Sequence, residues 1–223
     1  MVFDLDDTLI VSTVDYARFK RLIIDRIAAT EGDDPSRYSP SEGIVSLIGR
    51  YRETMKGRGE STERIAAELA EFDRIMDGVE LERIEETKEI PGARELLTHL
   101  KAHEIKIGIL TRGCEEYVSA ALAMTDMTGL VDAVECRNSS VPPKPSPEPY
   151  WRLVGRLGLR PEETVFVGDH TIDLVCAKQA GVPFVGVMTG NLSEEELMEA
   201  GSVAVFESVA QMAAWTKLAL KGP

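Results

Sequence analysis

Apolar Val2 and Phe3 give way to polar residues at Asp4, as at the end of a buried strand. Beyond Ile10 the spacing becomes helical. Phe19, Leu22, Ile23 and Ile27 share one face, and Glu31-Gly32-Asp33-Asp34-Pro35 stops that helix. Ser39-Pro40-Ser41-Glu42 predicts a new start, with Ser39 as N-cap, Pro40 first in the helix and Glu42 closing a capping box. Its face is Ile44, Leu47, Ile48, Tyr51 and Met55. Ile65, Leu69, Phe72 and Met76 form a third face, and Leu81 with Ile84 predicts a short fourth helix. No strand pattern interrupts the stretch from Ser12 to Lys88, so residues 12–88 read as an inserted helical bundle or lid.

From Ile90 strands and helices alternate. Pro91-Gly92 opens a helix carrying Ala93, Leu96, Leu97 and Leu100, and Ile105 to Leu110 is a buried strand ending at Thr111-Arg112-Gly113. A helix with Tyr117, Val118 and Leu122 follows, then a strand over Leu130 to Val134 and a proline-rich loop from Asn138 to Pro149. Ser146-Pro147-Glu148 starts a helix with Trp151, Val154 and Leu157 on one face. Thr164 to Val167 is a strand broken by Gly168-Asp169, and the next helix ends near Gly181. Phe184 to Met188 and Val203 to Phe206 are strands around a helix boxed by Ser193 and Glu196, and Ser208 with Gln211 caps a terminal helix. This alternation predicts an α/β core of residues 1–11 and 89–223, a Rossmann-like parallel sheet with helices on both faces, interrupted by the all-helical insert. Ligands of such sheets bind beyond the carboxyl ends of the strands. Asp4, Asp6, Thr111 and Asp169 fall at strand ends, and Lys144 on a loop after another strand.

Composition narrows the partners. The 223 residues are 43% hydrophobic and 28% charged, an ordinary globular balance that can bury a sizeable core. Lys and Arg total 25 against 38 Asp and Glu, a formal net charge of −13. That argues against a nucleic acid or an anionic membrane as partner. Cys114, Cys136 and Cys176 are odd in number and far apart, which fits a reduced compartment rather than a disulfide framework or a zinc site. No apolar run approaches the roughly 20 residues of a membrane span, and no signal peptide precedes the first strand. The expected setting is cytoplasmic, with the oligomeric state open.

In the extended chain Asp4 and Asp6 project to one side, Phe3 and Leu5 to the other. Two carboxylates at a strand end, with the hydroxyl of Thr8 close behind, suit a hard divalent cation such as Mg2+. A carboxylate can also attack phosphorus. An acidic turn after a strand is the plain alternative, as are a strand-ending Thr111, a solvated Lys144 and an N-capping Gly168-Asp169 turn.

Taken together and in order, Asp4-Leu5-Asp6-Asp7-Thr8, Thr111 after its apolar strand, Lys144 among prolines, and Gly168-Asp169-His170-Thr171-Ile172-Asp173 resemble the four motifs of the haloacid dehalogenase-like hydrolases. The resemblance covers nearly the whole chain. It is closest to the helical-cap phosphatases of the phosphoglycolate phosphatase-like type. It implies a hydrolase acting on a small phosphorylated metabolite through an aspartyl-phosphate. Asp4 would be the nucleophile, and Asp6 the acid that protonates the leaving oxygen and then the base that activates water. Thr111 and Lys144 would bind the phosphoryl group. Mg2+ would be held by Asp4, the backbone carbonyl of Asp6, and Asp169. Asp173, one helical turn beyond Asp169, and Arg112 would be supporting residues.

The same scaffold admits a phosphomutase or an inactive phosphate-binding regulator, whereas the dehalogenases lack the second Asp present here as Asp6. His170 departs from the family's usual small hydroxyl residue, and its expected role is structural. Cys114 is expected to be a passive neighbour. Only three residues precede Asp4, so the first strand is expected to be short or to continue upstream. Within the insert, Arg50, Arg52, Lys56 and Arg58 cluster. They are either a solvated helix end complementing the macrodipole or a set from which one cation reads a second anionic group on the substrate.

Overall fold

A computed structural model describes residues 1–30, 34–138 and 142–219. The expected helix stop at Glu31-Gly32-Asp33, and residues 139–141 of the proline-rich loop, lie outside the described residues. Contacts divide the chain into one unit of Met1–Ser12 with Ile84–Pro223 and a second of Thr13–Arg83.

The chain enters through β1 (Val2–Phe3) and, after a tight acidic loop, β2 (Ile10–Val11). Among the described residues, three α-helices build the second unit: α1 (Tyr16–Ala28), α2 (Ile44–Gly57) and α3 (Thr62–Leu81). Phe19, Ile23 and Ile27 of α1, Leu47, Tyr51 and Met55 of α2, and Ile65, Phe72 and Met76 of α3 form its core. Tyr51 packs on Phe72 with ring centroids 5.1 Å apart. Two expectations change here. Residues 39–42 form a turn in which Glu42 accepts from the backbone of Ser39, but α2 begins only at Ile44, with Gly43 as N-cap. Leu81 ends a continuous 20-residue α3, and Ile84–Glu86 is a single 3-10 turn rather than a fourth α-helix.

The first unit resumes at Ile84, and its β3 (Lys88–Glu89) pairs antiparallel with β2 in a two-residue ribbon. It continues through α4 (Ala93–Ala102), β4 (Gly108–Leu110), α5 (Glu115–Met124), β5 (Ala133–Glu135) and α6 (Glu148–Arg156). Next come β6 (Phe166–Gly168), α7 (Thr171–Ala180), β7 (Phe184–Val187), α8 (Glu194–Glu199), β8 (Ala204–Phe206) and α9 (Val209–Ala219). The sheet runs β5-β4-β1-β6-β7-β8 with every pairing parallel. Leu130 falls in a 3-10 turn, so β5 starts three residues later than the apolar run suggests. Val2, Leu110, Ala133, Phe166 and Phe184 bury against Tyr150, Leu153 and Val154 of α6, Leu174 and Ala177 of α7, and Leu197 of α8. Trp151, expected on that face, is 44% exposed. The strand residues of opposite phase, Phe3, Ile109, Val167 and Val185, are buried as well, so both faces of the sheet are covered. The fold is the expected Rossmann-like α/β sheet with a helical insert.

Candidate active site

β1 lies between β4 and β6, with Phe3 level with Ile109 on one side and Val167 on the other. The chain leaves β1 for β4 on one side, and later leaves β6 for β7 on the other. The ends of β1 and β6 therefore flank the point where the strand order reverses, where open α/β sheets hold their ligands. Asp4 follows β1 and Asp169 follows β6. The backbone N–H of Asp4 donates to the Val167 carbonyl at 2.9 Å and fixes that residue across the two strands.

The loop from Asp4 to Ile10 is wound tightly. The Leu9 and Ile10 amides both donate to the Leu5 carbonyl, at 2.8 and 3.1 Å. Asp7 takes φ 53, a left-handed conformation that Asp tolerates better than most residues. That winding buries Thr8, whose hydroxyl donates to Asp169 Oδ1 at 3.1 Å. Two glycines make close approaches that a side chain would forbid. A Cβ on Gly168 would stand 2.8 Å from Asp173 Oδ2, and one on Gly190 only 2.1 Å from Asp169 Oδ2. Thr189, beside Gly190, donates its hydroxyl to the Asp7 carbonyl. The segment after β7 thus closes on the acidic loop and on Asp169.

Lys144 is the centre of the arrangement. Its side chain is 3% exposed, and its Nζ donates to Asp4 Oδ1 at 2.5 Å and to Asp173 Oδ1 at 2.6 Å. The ammonium also stands 5.6 Å from the Phe166 ring centroid. Its loop is tied to α7 by Cys176, which donates to the Ser146 carbonyl. Burial works against the charge on Lys144, but Asp173 and Asp4 outweigh it and hold the ammonium above its ordinary pKa. Asp4, Asp169 and Asp173 bring carboxylate oxygens within 4.8 Å of one another. Burial drives Asp4 well above the usual carboxylate range, with Lys144 opposing and the neighbouring acids reinforcing the shift. Burial, then Asp173, pushes Asp169 up to about 7. Three buried acids thus face one buried cation, and the deficit of positive charge is what a metal ion would offset. The donors are all oxygens, the set a hard divalent cation takes. Asp173 is committed to Lys144 and to the backbone of His170, which leaves Asp4 and Asp169 as the carboxylates suited to a metal.

The remaining predicted residues divide. Asp6 is half-buried on the acidic loop, and its Oδ1 accepts from the Tyr117 hydroxyl at 2.6 Å. Thr111 is buried at the end of β4, its hydroxyl accepting from the Gly113 amide at 3.0 Å. Arg112 follows it, its carbonyl accepting from Arg137. His170 is the N-cap of α7, with Nδ1 accepting from the Ile172 amide at 3.1 Å and Asp173 completing the box. Cys114 likewise caps α5 through its sulfur. In the helical unit Arg50, Arg52 and Lys56 are half-exposed and paired with the local acids Glu42 and Glu53. Tyr117 and Gly190 carried no sequence signal beyond a helix face and a loop glycine, since their partners lie 111 and 21 residues away in the chain.

The chain belongs to the haloacid dehalogenase-like hydrolases, whose family model matches residues 1–187. It is accordingly a hydrolytic enzyme. It is 30% identical to a phosphoglycolate phosphatase of Rhodospirillum rubrum over 96% of this chain and 89% of that protein. A phosphoglycolate phosphatase of Yersinia pestis is 28% identical, over 85% of this chain and 81% of its own length. Among solved structures, a hydrolase from Pseudomonas syringae superposes with a TM-score of 0.70 at 20% identity, covering 97% of each chain, a likeness of fold. Among the described residues no helix is long and apolar enough to cross a membrane.

Proposed function

We propose that this hydrolase is a Mg2+-dependent phosphatase that cleaves a small phosphomonoester by way of an aspartyl-phosphate on Asp4. The observation that carries the reading is the buried Lys144 bridging Asp4 and Asp173 beside Asp169. A nucleophilic carboxylate, a fixed cation and an oxygen-only metal set at one strand end are the parts phosphoryl transfer needs. The likeness to phosphoglycolate phosphatases supports the substrate class.

Asp4 and Asp169, with the backbone carbonyl of Asp6, would hold the metal, which when bound would neutralise charge on the phosphoryl oxygens. An Asp4 oxygen attacks phosphorus, and the bond to the ester oxygen breaks as Asp6 gives that oxygen its proton. Asp6, now a carboxylate, takes a proton from water; the water oxygen attacks phosphorus and the bond to Asp4 breaks, which releases phosphate and restores both side chains. Lys144 tempers repulsion between Asp4 and the anionic substrate and, with the Thr111 hydroxyl, binds the phosphoryl oxygens. Asp173 holds Lys144 in place. Residues 12–88 act as the cap that selects the substrate, and the three free cysteines suit a reduced, cytoplasmic setting.

The test is phosphate release from a panel of small phosphomonoesters with and without Mg2+. Release that requires Mg2+ supports the proposal. Full activity after exhaustive chelation would contradict the metal. Return of the phosphoryl group to a sugar would make the enzyme a mutase, and no turnover on any ester would favour a phosphate-binding regulator.

A further inference from the structure

We infer that Tyr117 is a positioning residue that fixes the carboxyl of Asp6 for proton transfer; this rests on the reading of Asp6 as acid and base given above. Tyr117 is fully buried in the first turn of α5, and its hydroxyl donates to Asp6 Oδ1 at 2.6 Å. A buried phenol needs a partner, and Asp6 Oδ1 supplies it. The ring has little freedom. Its own amide donates to Cys114 Sγ at 3.4 Å, and a Cβ on Gly113 would stand 2.8 Å from its Cδ1.

Asp6 differs from Asp4 in how it is held. Asp4 is pinned by the sheet and by Lys144, whereas Asp6 lies beyond the strand on the loop, where the Tyr117 hydroxyl holds its Oδ1. With Oδ1 accepting the phenol hydrogen, the transferable proton of the carboxyl sits on Oδ2. In this role the phenol orients the acid and gives up no proton of its own. Its loss therefore falls on the steps in which a proton moves.

The phosphorylation step isolates this effect when leaving groups differ in their need for a proton. Single-turnover release of the leaving group would be followed at saturating Mg2+ for an alkyl phosphomonoester and for p-nitrophenyl phosphate. Tyr117→Phe is expected to slow alcohol release by roughly 10- to 100-fold, the loss that misplacing a catalytic group brings. Release of p-nitrophenolate, which leaves without a proton, is expected to stay near the wild-type rate. Gly113→Ala, which keeps the hydroxyl but crowds the ring, is expected to show the same selectivity and serves if the first variant folds poorly. Equal losses on both esters, or none on either, would overturn the role of Tyr117. Asp6→Asn separates this from the underlying reading. If that variant spares the alkyl ester, the acid assignment itself fails; if it loses the alkyl ester selectively while Tyr117→Phe does not, only the Tyr117 inference fails.

Discussion

The two candidate charge clusters, one in each unit, are held in opposite ways. In the α/β unit the candidate site's lysine and its two acid partners are buried and held across long stretches of the chain. Lys144 is 3% exposed and joins Asp4, 140 residues distant, to Asp173. In the helical unit Arg50, Arg52 and Lys56 stand 50–55% exposed, and their acidic partners lie within eight residues in sequence. Burying a charge is costly unless it is paired and hydrogen-bonded, so the first arrangement persists only where the whole fold supports it. Exposed local pairs stabilise by about 0–1 kcal/mol and arise on any helix rich in charge. A cluster conspicuous in the sequence is thus the weaker sign of chemistry, and a lysine alone among prolines the stronger.

The contrast can be broken most decisively at the acids. Asp4→Asn, nearly isosteric, should abolish steady-state phosphate release while leaving the fold intact by circular dichroism. Asp6→Asn should reduce release of an alkyl ester's phosphate by roughly 10^2- to 10^4-fold. Wild-type rates in either variant would remove the distinction between the clusters.

Next comes the buried cation. Lys144→Met leaves Asp4 and Asp173 without their partner and should cost about 3–5 kcal/mol in denaturant unfolding without Mg2+, the loss seen when one member of a buried pair is removed. The double variant Lys144→Met with Asp173→Asn should regain part of that stability but none of the activity. If both variants are as stable as the parent, the pair is not held as described.

Gly190→Ala tests the metal side of the cluster. The added Cβ, 2.1 Å from Asp169 Oδ2, must displace that carboxylate. Mg2+ affinity measured by calorimetry should fall by roughly 10- to 100-fold, as when groups that orient a ligand are altered. Unchanged affinity would exclude Asp169 as a ligand.

A smaller effect follows from the titration of Asp169. Its folded pKa of about 7, above the ordinary 3.8, means that the metal-free native state holds the proton more tightly than the unfolded chain. This group therefore stabilises the metal-free fold at low pH, and its contribution declines as pH rises from about 4 through 7, with no further change above. Mg2+ competes with that proton, so its affinity should weaken as pH falls below 7. Isothermal titrations between pH 6 and 8 check the sign.

The smallest effects belong to the helical unit. Arg50→Ala, Arg52→Ala or Lys56→Ala should each shift stability by no more than about 1 kcal/mol and leave KM for p-nitrophenyl phosphate unchanged. Their pairing with local acids predicts the same for a carboxylated ester. A selective rise in KM for that ester would instead make them substrate contacts.

What the sequence reveals follows from how local each feature is. The Ser193–Glu196 box, the stop at Gly181 and the Gly168-Asp169 turn depend on neighbours a few residues apart, and they are readable in advance. Ser39-Pro40-Ser41-Glu42 carries the same letters yet forms only a turn, because a box signals helix only when the chain beyond it stays wound. The β2–β3 ribbon has two residues per strand, too few for an alternating pattern to register. On α6 the buried face is set by Tyr150, Leu153 and Val154, so Trp151 turns outward and gives its indole N–H to the Ala180 carbonyl. At the site, acids and lysine at strand ends could be named from the topology of a parallel sheet. The partners that aim them, Tyr117 on Asp6 and Gly190 against Asp169, exist only once distant segments meet.

The central claim is that Asp4 is phosphorylated during turnover. Borohydride quenching of the enzyme under turnover with Mg2+ and a phosphomonoester, followed by peptide mass spectrometry, reads this directly, because an acyl phosphate is reduced to the alcohol. Homoserine at position 4, absent without substrate and absent in Asp4→Asn, is the predicted result. Phosphate release with an unmodified Asp4 under the same quench, or reduction at another carboxylate, would contradict it.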